Sequence, residues 1–142
     1  MNQLNFSTGK ITYIVNGNCE ISFNPSDAEF AGKLFDVFSS FAQKYEKTEH
    51  ENIKCDPEEV FTVLKERDKW MRTEIDTLFG EPICDKIFGN MSVCALADGL
   101  PIWANFMLSV IDEIDKVITN EQKKTNPRVQ KYMQKYDKRK SK

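Results

Sequence analysis

Four cysteines and a single histidine are the strongest potential metal ligands and nucleophiles in this chain. The cysteines, Cys19, Cys55, Cys84 and Cys94, stand 36, 29 and 10 residues apart. A zinc ribbon or a dithiol redox motif needs a C-x-x-C pair, and none is present. Cys84 and Cys94 lie in apolar company and read as small core residues. His50 sits between Glu49 and Glu51 with Cys55 nearby. A metal ion needs three or four convergent ligands, and this polar stretch reads more simply as a solvated loop. The acid pair Glu58-Glu59 has general acid–base chemistry available to it, but it follows Asp56-Pro57, where acids face the positive end of a helix. Asp112, Glu113 and Asp115 read as the solvated face of an amphipathic helix. No G-x-x-x-x-G-K-[ST], G-x-G-x-x-G, G-x-S-x-G or H-E-x-x-H occurs. The residues therefore predict no catalytic, cofactor or metal site and favour a binding protein over an enzyme.

A different kind of chemistry is written into the last 22 residues. They carry nine basic and two acidic side chains, a net charge of +7. The first 120 residues hold the remaining 11 basic and 20 acidic groups, net -9, so the overall charge of -2 conceals a strong asymmetry. Within this extension Val129, Tyr132, Met133 and Tyr136 recur at i, i+3, i+4 and i+7, with Lys131 and Lys135 between them. That is the pattern of a short basic amphipathic helix. Three readings stay open for it: a solvated terminus lying partly against the acidic body, a segment that folds when its apolar face meets a groove on a protein, and a contact to nucleic acid or membrane through the lysines. The acidic body counts against a polyanion, and no nucleic-acid-binding motif accompanies the tail. Residues 121–142 are expected to be partly disordered, because four apolar side chains cannot hold so short a helix alone.

The rest of the chain must supply the scaffold. Its 142 residues, with 40% hydrophobic residues and sixteen aromatic rings, suffice for one packed domain over 1–120. No run of about 18 apolar residues predicts a membrane span. The opening Met1–Phe6 lacks a basic segment followed by an apolar one, so a cytoplasmic location and free thiols are expected.

Asn16-Gly17 between two β-rich runs, 10–15 and 18–23, predicts a hairpin with a two-residue turn. That turn would pair Ile14 with Cys19 and Thr12 with Ile21. One face then carries Ile14, Cys19, Ile21 and Phe23, and the other carries Ile11, Tyr13 and Val15. Both faces would be partly apolar, so one should meet another chain, and Ile11, Tyr13 and Val15 become candidates for self-association. Leu4-Asn5-Phe6 could add a short third strand.

Ser26 and Glu29 form a capping box, with Asp27 also favouring a helix start. A helix near 27–47 follows, its stripe Phe30, Leu34, Val37, Phe38, Phe41, Ala42 and Tyr45. A second helix starts at Asp56-Pro57 and stops at Gly80, with Val60, Leu64, Met71, Ile75 and Leu78 inward. Pro82 opens a short helix through Phe88 that Gly89 closes. Asn90 or Ser92 caps another across Val93–Ala97, closed by Gly99. A long helix starts at Pro101, and Asn126-Pro127 breaks it from the tail. The fold class is α+β: an N-terminal hairpin packed on a mainly helical body.

Asp76-Thr77-Leu78-Phe79-Gly80-Glu81, followed by Lys86-Ile87-Phe88-Gly89, resembles the D-x-L-F-G-E…K-I-F-G pattern of small tail-module proteins from long-tailed phages and prophages of Gram-positive bacteria. Val93-Cys94 occupies the place of that family's short Val-Cys segment, and the likeness spans roughly residues 66–118. The hairpin and first helix are also similar to the opening of phage tail assembly chaperones. The pattern differs at Pro82-Ile83-Cys84, where that family carries small or polar residues, and in the longer basic tail. The resemblance implies a non-enzymatic tail assembly chaperone. Such a protein coats the tape measure protein, helps recruit the major tail protein and works as a homo-oligomer in the host cytoplasm. The alternative function is a small regulator that binds nucleic acid through the basic tail.

Overall fold

The computed structural model describes residues 1–51 and 57–137. Cys55 and Asp56, and the side chains of Tyr45 and His50, lie outside the described parts. The chain builds a hairpin, β1 (Ile11–Val15) and β2 (Cys19–Phe23), then α1 (Ala28–Glu51), α2 (Pro57–Phe79) and a short α3 (Cys84–Phe88). A second, very short hairpin follows, β3 (Leu96–Ala97) and β4 (Leu100–Pro101), then α4 (Ile102–Lys123) and α5 (Arg128–Asp137). The α+β class expected from sequence is the one observed. Residues 1–10 adopt no strand, so Leu4-Asn5-Phe6 adds no third one, and Leu4 and Phe6 are exposed.

The first hairpin forms where expected but in a different register. Asn16 and Gly17 both take positive φ, 51° and 73°, and the Asn18 amide donates to the Val15 carbonyl at 3.1 Å. The type I′ turn is therefore present. Asn18 is an extra residue beyond it, and the ladder resumes with Val15 opposite Cys19, Tyr13 opposite Ile21 and Ile11 opposite Phe23. One inserted residue moves a whole strand face. Ile11, Tyr13, Val15, Cys19, Ile21 and Phe23 now share the inner face. Thr12, Ile14, Glu20 and Ser22 share the outer one, where Thr12 and Ser22 hydroxyls meet at 2.8 Å. The expectation of two apolar faces is thus corrected. Tyr13 and Val15 pack on the core, and Ile14, expected inside, is 69% exposed.

Asp27, rather than the expected Ser26, caps α1. Its carboxylate accepts the Glu29 amide at 3.0 Å and its carbonyl accepts the Ala31 amide. Ser26 instead donates its hydroxyl and amide to Asn24 Oδ1. α2 ends in a Schellman arrangement at Gly80: Gly80 donates to the Thr77 carbonyl and Glu81 to that of Asp76. The helix expected over Val93–Ala97 is absent. Asp98 and Gly99 take φ of 56° and 80° and turn the chain into β3–β4. An Asp-Gly pair is a hairpin signal of the same kind as Asn-Gly, and here it overrides the apolar run before it.

The core lies between the hairpin's inner face and helices α1, α2 and α4. Leu34 and Phe41 of α1, Met71 and Ile75 of α2, and Trp103, Met107 and Val110 of α4 are buried. Phe23 joins the layers: its ring stacks on Tyr13 at 4.8 Å and contacts Phe30 at 5.1 Å and Phe79 at 5.8 Å. Deeper in, Phe41 meets Trp70 at 5.2 Å and Trp103 at 5.3 Å. The Phe-rich stripe of α1 is core-facing, as its spacing predicts. No described helix is long and apolar enough to cross a membrane.

Candidate functional site

Asn126-Pro127 separates α5 from α4 as the sequence predicts. Lys124 is extended, with φ -76° and ψ 140°. The Asn126 carboxamide accepts the Arg128 amide at 3.1 Å, and Lys131 donates to the Pro127 carbonyl at 2.9 Å. Asn126 is therefore an N-cap and Pro127 the first helical position, the placement that suits a residue with fixed φ and no N–H.

The structure brings the predicted tail residues together on α5. Val129, Tyr132, Met133 and Tyr136 fall on one helical face, between 49% and 73% exposed. Lys131 and Lys135, one turn apart, are also exposed, and the Lys135 ammonium lies 5.9 Å from the Tyr136 ring. Every side chain from Arg128 to Tyr136 is exposed, so none is part of the body's core. A ten-residue helix without packing is marginal in water. What α5 offers is a basic amphipathic helix whose Val129, Tyr132 and Met133 side chains are exposed.

The other predicted residues, Ile11, Tyr13 and Val15, are less exposed than those of α5. Ile11 lies at the edge of the hairpin's inner face, and Tyr13 and Val15 are half-buried against the core. Beside them is a groove of about 250 Å³ between the hairpin and α4, lined by Tyr13, Ile14, Val15, Phe106, Val110 and Glu113. Glu113, expected on a solvated face, is half-buried here. The Tyr13 hydroxyl is buried and lies beside the Glu113 carboxylate. Burial, reinforced by the Glu113 charge, raises its pKa. The sequence signal for this groove is slight, because the one-residue shift in register is what puts Tyr13 and Ile14 where they are.

Sequence reasoning also missed a polar clamp on α2. Asp68, Arg72 and Asp76 lie at i, i+4 and i+8, on one face. Asp68 accepts the Val93 amide at 2.7 Å and pairs with Arg72 at 3.2 Å. Arg72 also donates to the Asp85 carboxylate at 3.0 Å and to the carbonyls of Gly89 at 2.8 Å and Met91 at 2.6 Å. Asp76 accepts the amides of Ile83 and Cys84 at 3.0 and 2.9 Å. These bonds use up the side chains on backbone that would otherwise be unsatisfied. The clamp gathers the chain from Asp68 to Val93. Asp76, Gly80 and Gly89 each have a structural task there.

Cys84 is buried, and its thiol donates to the Arg72 carbonyl at 3.4 Å. Burial, with Asp76 adding to it, pushes this thiol far up, so the nucleophilic thiolate is disfavoured. Cys94 is half-buried beside Met71 sulfur at 3.8 Å. Cys19, Cys84 and Cys94 are unpaired. Among the described residues no three His, Cys, Asp or Glu side chains converge as metal ligands would.

Compared with protein-family models, curated proteins and solved structures, the chain matches none.

Proposed function

We propose that this chain is a non-enzymatic assembly chaperone of the phage-tail kind, and that α5 is the surface with which it holds its client. The observation that carries this reading is the exposed Val129/Tyr132/Met133/Tyr136 face on a capped helix outside the core. Helix-in-groove recognition uses anchors at this spacing. The client is the tape measure protein, whose long helices would offer apolar surface, and the major tail protein is a second contact. The tail-module resemblance over 66–118 supports this choice of client. The work is done in the host cytoplasm.

Co-expression with a tape measure protein tests the reading. The chain should raise the soluble fraction of the client and co-elute with it. Tyr132→Ser with Tyr136→Ser should abolish both effects. Failure of the unaltered chain to co-elute defeats the proposal. Binding to a labelled oligonucleotide that falls steeply with salt would favour the nucleic-acid alternative, because phosphate contacts release counterions.

A further inference from the structure

We propose that the face of α4 from Ile102 to Glu113 is a docking groove for an amphipathic helix of another protein, one with large apolar side chains four residues apart and a lysine or arginine one turn beyond them. The inference concerns the body of the molecule and rests neither on α5 nor on the identity of the client.

Spacing is the first argument. Two hollows lie along α4, of about 250 and 390 Å³. On α4 the first is lined by Phe106, Ser109, Val110 and Glu113, and the second by Ile102, Asn105, Phe106 and Ser109. The two sets are one pattern of positions displaced by four residues, so the hollows stand about 6 Å apart along the helix. Side chains at i and i+4 of a helix lying alongside are separated by about the same distance, and helix-in-groove recognition uses such anchors. Ile14 walls the first hollow and Met91 the second, and both are exposed until a partner covers them. An extended segment would lay its backbone N–H and C=O groups over side chains, without partners, whereas a helix bonds its own.

The second argument is charge. The Ser109 hydroxyl already donates to the Phe106 carbonyl at 2.6 Å, and the Asn105 amide group to the Ala97 carbonyl at 2.9 Å. Among the described residues Glu113 is the one charged side chain lining either hollow, and it forms no ion pair. It is half-buried, with the Tyr13 hydroxyl beside it. A carboxylate drawn partly out of water without a cation favours one from a partner. Asp112 and Asp115 lie next to it in sequence, and residues 1–120 carry net -9, so the potential there is negative and the matching end of the partner is basic. Glu113 lies beyond Val110 at the end of the first hollow, which sets the cation one turn past the apolar anchors.

Fluorescence anisotropy of the full chain with a labelled synthetic peptide tests this. The probe is an alanine-based helix with leucines at i and i+4 and lysines at both ends, so that either direction along α4 is served. The chain should bind it saturably. Ile14→Ser with Met91→Ser, both at exposed positions, should weaken binding more than about tenfold. A twin peptide with glutamates for lysines should bind about tenfold more weakly, and Glu113→Gln should erase that difference. Circular dichroism checks the fold of each variant. Absence of saturable binding overturns the proposal, and so does binding that survives the double groove variant. Equal binding of a proline-interrupted peptide would assign the groove to an extended segment and overturn it too. So would self-association of the chain alone that the double variant dissolves, which would put a second copy in the groove. Tyr132→Ser with Tyr136→Ser should leave peptide binding unchanged; loss there would place the peptide on α5. The co-elution experiment decides the role of α5 separately.

Discussion

The Asp68 carboxylate accepts the Val93 amide at 2.7 Å, across 25 residues of sequence. Val93 is fully buried, and Arg72 Nε reaches both oxygens of the same carboxylate, at 3.2 and 3.3 Å. Removing Asp68 leaves a buried amide and a largely buried guanidinium short of partners. Asp68→Ala should therefore cost about 2–4 kcal/mol in urea unfolding, the sum expected for an unsatisfied amide and a broken partly buried pair. Asp68→Asn, which keeps an acceptor, should cost less than half as much. Equal losses would mean that charge, rather than the bond to Val93, is what matters.

The corrected register makes neighbouring strand positions behave oppositely. Tyr13 stacks on Phe23 at 4.8 Å, whereas Ile14 is exposed. Tyr13→Glu should destabilise the body by about 2–4 kcal/mol, because it places a charge against the core. Ile14→Glu should fall within about 0.5 kcal/mol of the parent. Reversed magnitudes would restore the two-residue loop and its other face.

Why the sequence is legible in some places and not in others follows from the range of the interactions. Local punctuation is readable: Gly80 as a Schellman stop, Pro127 at a first helical position, and Asn16-Gly17 as a turn all depend on residues within a few positions. The stripes of α1, α2 and α4 are readable because burial repeats with the helical period. Asn18 defeats the register, since nothing in a two-residue turn announces one residue more. Val93–Ala97 is misread because its apolar run outweighs the Asp98-Gly99 signal. The clamp of Asp68, Arg72 and Asp76 reads as an ordinary charged helix face, and only the chain returning over it reveals its partners. The basic apolar face of α5 is legible, because its residues share one short helix whose spacing is written in the sequence.

Stability should fall as the solution becomes alkaline. An unfolded cysteine loses its proton near pH 8.5 and an unfolded tyrosine near pH 10. Burial, with Asp76 close by, holds the Cys84 proton well above that, and burial also raises Cys94 and Tyr13. Above about pH 9 the unfolded chain therefore binds fewer protons than the folded one, and unfolding becomes easier with rising pH. Below about pH 8 both states keep these protons and the groups add no pH dependence. The urea midpoint should be flat with respect to these groups from about pH 6 to 8 and decline beyond about pH 9, less steeply in Cys84→Ala. A midpoint that climbs in alkali would contradict the assigned direction.

The α5 face should be silent in the stability of the body. Tyr132→Ser with Tyr136→Ser removes two rings that are 49% and 52% exposed. The thermal midpoint should move by less than about 2 °C, as for surface substitutions away from the core. A drop of several degrees would place α5 within the body's cooperative unit and withdraw it from partner binding.

The α2 clamp also bears on the order in which the molecule assembles. Its hydrogen bonds span between 4 and 25 residues, so α2, α3 and the turn before α4 can organise with little chain to close. The contact of Phe41 on α1 with Trp103 on α4 joins residues much farther apart along the chain. Short closures form early and distant ones late in folding that proceeds from local nuclei. Asp76→Ala should accordingly slow refolding, whereas Phe41→Leu should chiefly quicken unfolding, and stopped-flow chevrons would distinguish the two. The clamp would then act as a kinetic seed: the middle of the chain closes first and gives the N-terminal hairpin and the final long helix a surface to settle on.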